Sequence, residues 1–222
     1  MDTQNEHLKN LQEIRSIMER STRFISLSGL SGVFAGIVAL LGALAVYIFH
    51  KEFFFSRYQN GGVFLPEELM SGNALTNFIV FSFVVAFVVL VLALFFATFF
   101  TTRNARRKGL PIWDATVKRM LINLFIPLIA GGVFCLILLY HHLVYLIAPS
   151  TLLFYGLALI NASKFTLTDI RYLGISEIIL GLIAMIFVGY GLVFWAVGFG
   201  VLHIVYGLAM YIKYERATDK SK

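Results

Sequence analysis

Glu177 and His203 are the residues of this chain best placed to do chemistry, because each puts a strongly ionisable group well inside a long apolar run. A lone carboxylate facing lipid is costly, so Glu177 should face other protein and find a partner there. Glu177 lies about two turns into one apolar segment and His203 roughly three turns into the next, which runs back the opposite way. At ~1.5 Å per residue their depths differ by on the order of one turn. Asn123, Asn161 and Tyr206 are polar groups at similar depth and complete the candidate set, with Ser176 beside them. Two chemistries fit. One is a proton or cation site in which Glu177 exchanges the proton and His203 tunes it. The other is a hydrogen-bonded network that locks helices together, with Glu177 in a structural role.

A second constellation is His50, His141 and His142, all at outer helix ends, with Cys135 deeper in the same run as the latter pair. Imidazoles bind zinc, copper or haem iron. Adjacent histidines on a helix point apart, however, and the spacing matches no metal motif, so the bland reading is three amphipathic residues at the membrane boundary. No metal and no cofactor are expected. A phosphate-binding glycine loop, HExxH and CxxC are absent from the sequence, so the expectation is a protein that is not an enzyme.

The elements that must position these groups follow from composition. Of the 222 residues 59% are hydrophobic and only 14% are charged, and the mean hydropathy is +0.83. That is too little charge to coat a soluble domain, so lipid must be the solvent for most of the chain. In lipid only helices and closed barrels satisfy the backbone, and period-two alternation of the barrel kind is missing. The fold class expected is therefore an all-α integral membrane protein, a six-helix transmembrane bundle preceded by a short amphipathic helix. Its domains are a cytoplasmic arm over 1–23, a single transmembrane domain over 24–212, and a basic cytoplasmic tail over 213–222. The spans predicted are about 24–49, 74–102, 117–140, 150–163, 170–188 and 190–212.

Several local features refine this outline. Ser28, Gly32 and Gly36 recur at four-residue spacing in the first span, Gly174 and Gly181 are seven apart in the fifth, and Gly200 and Gly207 are seven apart in the sixth. Small-residue ridges of this kind let helix backbones approach closely in lipid. The second span, uncharged and rich in Val, Phe and Leu, is expected to face lipid. Pro127 predicts a kink in the third. Thr168 or Asp169 is expected to cap the fifth helix. The aromatic 50–73 connection is expected to lie on the outer face of the bilayer.

Orientation follows from the cations. All Lys and Arg except Lys51 and Arg57 fall in the arm, the 103–119 loop, the 164–171 turn and the tail. Positive connections stay in the cytoplasm, so both termini are expected there, in a bacterial inner or plasma membrane. Arg103, Arg106, Arg107 and Lys108 are the expected contacts with anionic lipid. The excess charge has no folded basic domain to carry it, so no nucleic acid is expected as partner.

The leading functional reading is a non-enzymatic, membrane-embedded binding or regulatory component. It works through helix contacts and self-associates, or joins another membrane protein, through its small-residue faces. The alternative is a small proton- or cation-linked transporter or channel using Glu177 and His203. The third is a metal-binding membrane enzyme using the outer histidines.

Overall fold

A computed structural model describes residues 27–51, 72–109 and 112–216. The 1–23 arm and nearly all of the 50–73 connection lie outside the described residues. Six helices follow in order: α1 (Gly29–Phe49), α2 (Gly72–Arg107), α3 (Ala115–Tyr140), α4 (Ile147–Ala162), α5 (Asp169–Ile186) and α6 (Gly191–Arg216). Short 3-10 turns, Val144–Leu146 and Ser163–Phe165, extend α4 at both ends. α6 is composite, with π-helical turns at Ala196–Leu202 and Tyr211–Arg216 separated by the α-helical stretch His203–Met210.

Five of these segments are long and apolar enough to cross a bilayer: α1, α2 from Thr76, α3, α4 with its flanking turns, and α6. Among the described residues the chain is all-helical, with five helices that could span a membrane. α5 has only 18 residues and carries Asp169, Arg171 and Glu177 within them, whereas each of the other five includes an 18-residue stretch with at most two charged residues.

The helix boundaries are set locally. Asp114, in extended conformation, opens α3 by accepting a 2.7 Å hydrogen bond from the Val117 amide, which satisfies one of the orphan donors of the first turn. α3 closes on His142, whose φ of 59° is left-handed. The Leu143 amide reaches back to Leu138 O at 2.8 Å and the His142 amide to Leu139 O at 3.0 Å. This is the double return bond of a Schellman stop, at a position more often filled by glycine or asparagine. Neither residue proposed to cap α5 does so: Thr168 makes no side-chain cap bond, and Asp169 is the first helical residue and bonds elsewhere. The loop expected over 103–119 is also shorter than its charges suggested. α2 runs on through Arg107, because cations in a last turn complement the negative end of the helix dipole.

Glycines decide which helices pair. A Cβ at Gly36 would stand 2.6 Å from Gly200 O, and one at Gly207 would stand 2.7 Å from Gly29 O and from Val33 N. α1 and α6 are thus antiparallel and in backbone contact. A Cβ at Gly174 would stand 2.8 Å from Gly156 O, and one at Gly181 would stand 3.0 Å from Pro149 O, so α4 and α5 form a second such pair. The expected small-residue faces do pack closely, but within one subunit and on partners the sequence did not reveal. Ser28 is the exception: it stands at the N-cap of α1, outside the helical ridge.

α2 rests on α1, where Phe34 stacks on Phe96 and Phe100 with ring centroids 5.2 and 4.9 Å apart. α3 packs on the far side of α4. Both outer helices leave large apolar side chains exposed, among them Phe87, Phe95 and Leu94 on α2 and Ile126, Ile129 and Leu136 on α3. The lipid-facing character expected of the second span accords with this exposure.

Candidate functional site

The α1–α6 and α4–α5 pairs meet around one polar cluster. Tyr155 comes from α4, Glu177 from α5 and His203 from α6. Glu177 is fully buried and His203 is 8% exposed. Tyr155 Oη lies 2.8 Å from His203 Nε2. On the other side of the ring, Nδ1 is 3.0 Å from Gly198 O and 3.5 Å from Glu177 Oε1. A carbonyl can only accept, so Nδ1 must carry the proton in its bond to Gly198. In the neutral ring Nε2 is then an acceptor, and Tyr155 is its donor.

The carboxyl of Glu177 is the anomaly of the site. Among the described residues neither of its oxygens has a hydrogen-bond partner, although both are buried. Buried polar atoms are nearly always paired, and one left unpaired calls for a specific reason. The space the carboxyl occupies exists because position 198 is glycine: a Cβ there would stand 2.5 Å from Glu177 Oε2 and 2.5 Å from Leu152 Cδ2. Gly198 belongs to the first π turn of α6, an irregularity that recurs at functional positions in helices. Phe199 covers the imidazole and the phenol, its ring centroid 5.9 Å from that of His203 and 5.0 Å from that of Tyr155.

Three of the five residues grouped by depth belong elsewhere. Pro127 has no amide hydrogen, which strands the carbonyl four residues earlier, at Asn123. Asn161 Nδ2 donates to that same carbonyl at 3.2 Å. The Asn123 side chain turns back to Arg119 O at 2.8 Å, and Lys164 holds Asn161 Oδ1 at 3.2 Å. Asn161 therefore replaces the backbone donor that Pro127 removes, and neither asparagine forms part of the Glu177 cluster. Tyr206 pairs with Ser176, their hydroxyl oxygens 3.4 Å apart. It stands beside the cluster rather than in it.

The repair can be tested by a cycle. Asn161→Ala should cost about 1 kcal/mol, the low end of the penalty for an orphaned acceptor, because Asn123 is only half-buried. In a Pro127→Ala background residue 127 regains an amide for Asn123 O, and the cost should largely vanish in detergent unfolding. Equal costs in both backgrounds would show that Asn161 acts in some other way.

Tyr155, absent from the sequence-based set, completes the site. The count of depth that admitted Tyr206 would have flagged it too, since it lies mid-span in α4 between apolar neighbours. The outer histidines do not converge on a metal. His50 packs between Phe78 and Phe81, with ring centroids 5.1 Å away in each case. His141 stands against Tyr140, and His142 forms the stop of α3. Cys135 is buried, and among the described residues no group of three or more His, Cys, Asp or Glu is placed to hold an ion.

At the basic end of the bundle, Arg103, Arg106 and Arg107 are exposed on the last turns of α2, at the i, i+3, i+4 spacing of one helix face. The intervening Asn104 is buried and donates to Leu27 O at 3.3 Å. Partial burial pushes the Lys108 ammonium below its ordinary value, against the opposing pull of the Glu215 carboxylate. Glu215, also buried, accepts the Gly29 amide at 2.6 Å and the Ser28 hydroxyl at 3.1 Å. Two residues earlier Lys213 holds Asp169 at 2.9 Å, and Tyr214 donates to the same carboxylate at 2.5 Å. The last turns of α6 thus tie down the starts of both α1 and α5.

These features define a class: a helical protein with five candidate membrane spans and a buried carboxyl, imidazole and phenol shared by three helices. No protein-family model, curated protein or solved structure matches the chain.

Proposed function

We propose that this chain is a six-span, non-enzymatic membrane component whose Glu177–His203–Tyr155 cluster holds an exchangeable proton, in the manner of a small proton-linked transporter or channel. The observation that carries this reading is the Glu177 carboxyl, fully buried with both oxygens unbonded. A network built to lock helices would use those oxygens, since a half-satisfied network is costly. A carboxyl that must gain and lose a proton beside an imidazole has a reason to stay unbonded.

Six crossings are supported by two contacts. The Glu215–Gly29 bond joins the end of α6 to the start of α1, which requires an even number of crossings. α5 lies antiparallel against α4 from Gly156–Gly174 contact at one end to Pro149–Gly181 contact at the other, so it shares the depth of a spanning helix. The cation distribution favours the basic end and both termini in the cytoplasm, in a bacterial inner or plasma membrane. The Arg103, Arg106 and Arg107 face, with Lys108, would then meet anionic headgroups.

The second reading is a regulatory component acting through helix contacts, with Glu177 structural. It is favoured by the close fit of the two glycine-lined pairs. Those faces are occupied within the subunit, so another copy or another membrane protein would have to use α2 or α3.

Proton flux driven by a pH gradient into liposomes separates the two. Wild type is expected to carry flux and Glu177→Gln to fall to the level of protein-free vesicles. Indistinguishable traces from wild type and variant, with the variant less stable in detergent, would favour the structural reading.

A further inference from the structure

We infer that the first π turn of α6 makes His203 a directional proton relay, with Tyr155 as the group that feeds its Nε2 and Glu177 as the group served from its Nδ1. The inference rests on the proton-exchange reading above and specifies its route. It starts from the backbone. The His203 amide turns to Gly200 O, while its ring reaches Gly198 O, five residues back and at the spacing of a π turn. That carbonyl is the positioning group. By accepting the hydrogen bond from Nδ1–H it fixes the tautomer, so the ring can gain a proton only at Nε2, where the Tyr155 hydroxyl stands 2.8 Å away.

The relay balances without any further reactant. The Tyr155 O–H bond breaks as an N–H bond forms at Nε2, giving an imidazolium. Its Nδ1–H, which points at Gly198 O, must swing toward Glu177 Oε1, 3.5 Å from the nitrogen, to pass its proton to the carboxylate and form the neutral acid. The phenolate takes up the incoming proton and becomes a phenol again. One proton enters at Tyr155 and one is delivered at Glu177. The neutral ring is then left protonated at Nε2, and its return to the Nδ1–H form requires that the Nε2–H bond break, the proton leaving on the Tyr155 side, and that another proton bind at Nδ1. Among the described residues, the titratable groups facing the imidazole are Tyr155 from α4 and Glu177 from α5, with Tyr206 of α6 next to them. α1 packs against this part of α6 through Gly32 and Gly36 and has no titratable side chain between Gly29 and Val46.

Nitrogen NMR of ¹⁵N-histidine-labelled protein in bilayers near neutral pH reads the ring directly, with the His203 signals assigned by their loss in His203→Gln. The expected wild-type spectrum is a neutral ring protonated at Nδ1, with Nε2 shifted by an accepted hydrogen bond. Tyr155→Phe should move the Nε2 signal and lower flux on the order of a hundredfold, the low end of what a positioned proton-transfer group contributes. A wild-type ring protonated at Nε2 would overturn the inference without recourse to any variant. Glu177-dependent flux that persists in Tyr155→Phe, with the ring signals unmoved, would overturn the relay and leave the exchange site standing. Wild-type protein with no Glu177-dependent flux would remove the site and the relay together.

Discussion

Gly207→Leu is expected to cost about 3 kcal/mol or more, at or beyond the upper end of ordinary overpacking. The new side chain would start 2.7 Å from Gly29 O and 2.7 Å from Val33 N, and both are backbone atoms that cannot rotate away. Relief requires α1 and α6 to separate along the whole contact, which also pulls Gly36 from Gly200. The gain in helix propensity from removing glycine, about 0.8–1 kcal/mol, is too small to offset this. Gly132→Leu in α3 supplies the comparison, because a Cβ there meets nothing within 4 Å. It should leave stability within about 0.5 kcal/mol or raise it slightly. Unfolding midpoints in mixed detergent and denaturing micelles check both. If the two variants unfold alike, α1 and α6 are not in backbone contact.

Glu215→Ala is expected to be the next most damaging single change, at about 3 kcal/mol. The carboxylate accepts a 2.6 Å bond from the Gly29 amide and a bond from Ser28 Oγ while only 8% exposed. Hydrogen bonds to a charged group are worth roughly 1.5–3 kcal/mol each, and removing the acceptor orphans a buried amide as well. Glu215→Gln keeps one acceptor oxygen and should lose about half as much. The adjacent Arg216, which is exposed, serves as control. Hydrogen exchange at the Gly29 amide is the direct readout: it should accelerate in Glu215→Ala and stay unchanged in Arg216→Ala. An amide that exchanges at the same rate in all three proteins would mean the clasp is not closed in the membrane.

Particular residues show how far the sequence could be read. The helices themselves were legible because burial in lipid leaves a one-dimensional signal: long uncharged runs with charges at their ends. The boundaries slipped wherever a helix could continue through polar residues at no cost. α2 extends over Arg103, Arg106 and Arg107, and α6 extends to Arg216, since cations at a helix end are favourable rather than disruptive. Depth along each helix was equally legible, and the structure places Glu177 and His203, grouped on that basis, 3.5 Å apart. The same count misassigned Asn123 and Asn161. Depth says nothing of azimuth: Pro127 inside the third span already strands Asn123 O, but only the packing of α3 on α4 shows that Asn161 is its donor.

What the sequence by itself determined is the class of the protein, the approximate position of its helices and the two ionisable groups that cannot face lipid. Those follow from transfer free energies, which depend on residue type and hardly at all on neighbours. The tertiary structure alone decided which helices pair, that Tyr155 joins the cluster, that Gly198 makes room for the carboxyl, and that Glu215 ties α6 to α1. Each of these depends on the rotation of one helix against another, and that rotation is set by backbone contacts at glycines on separate spans. A glycine announces that something approaches closely; only the fold shows what.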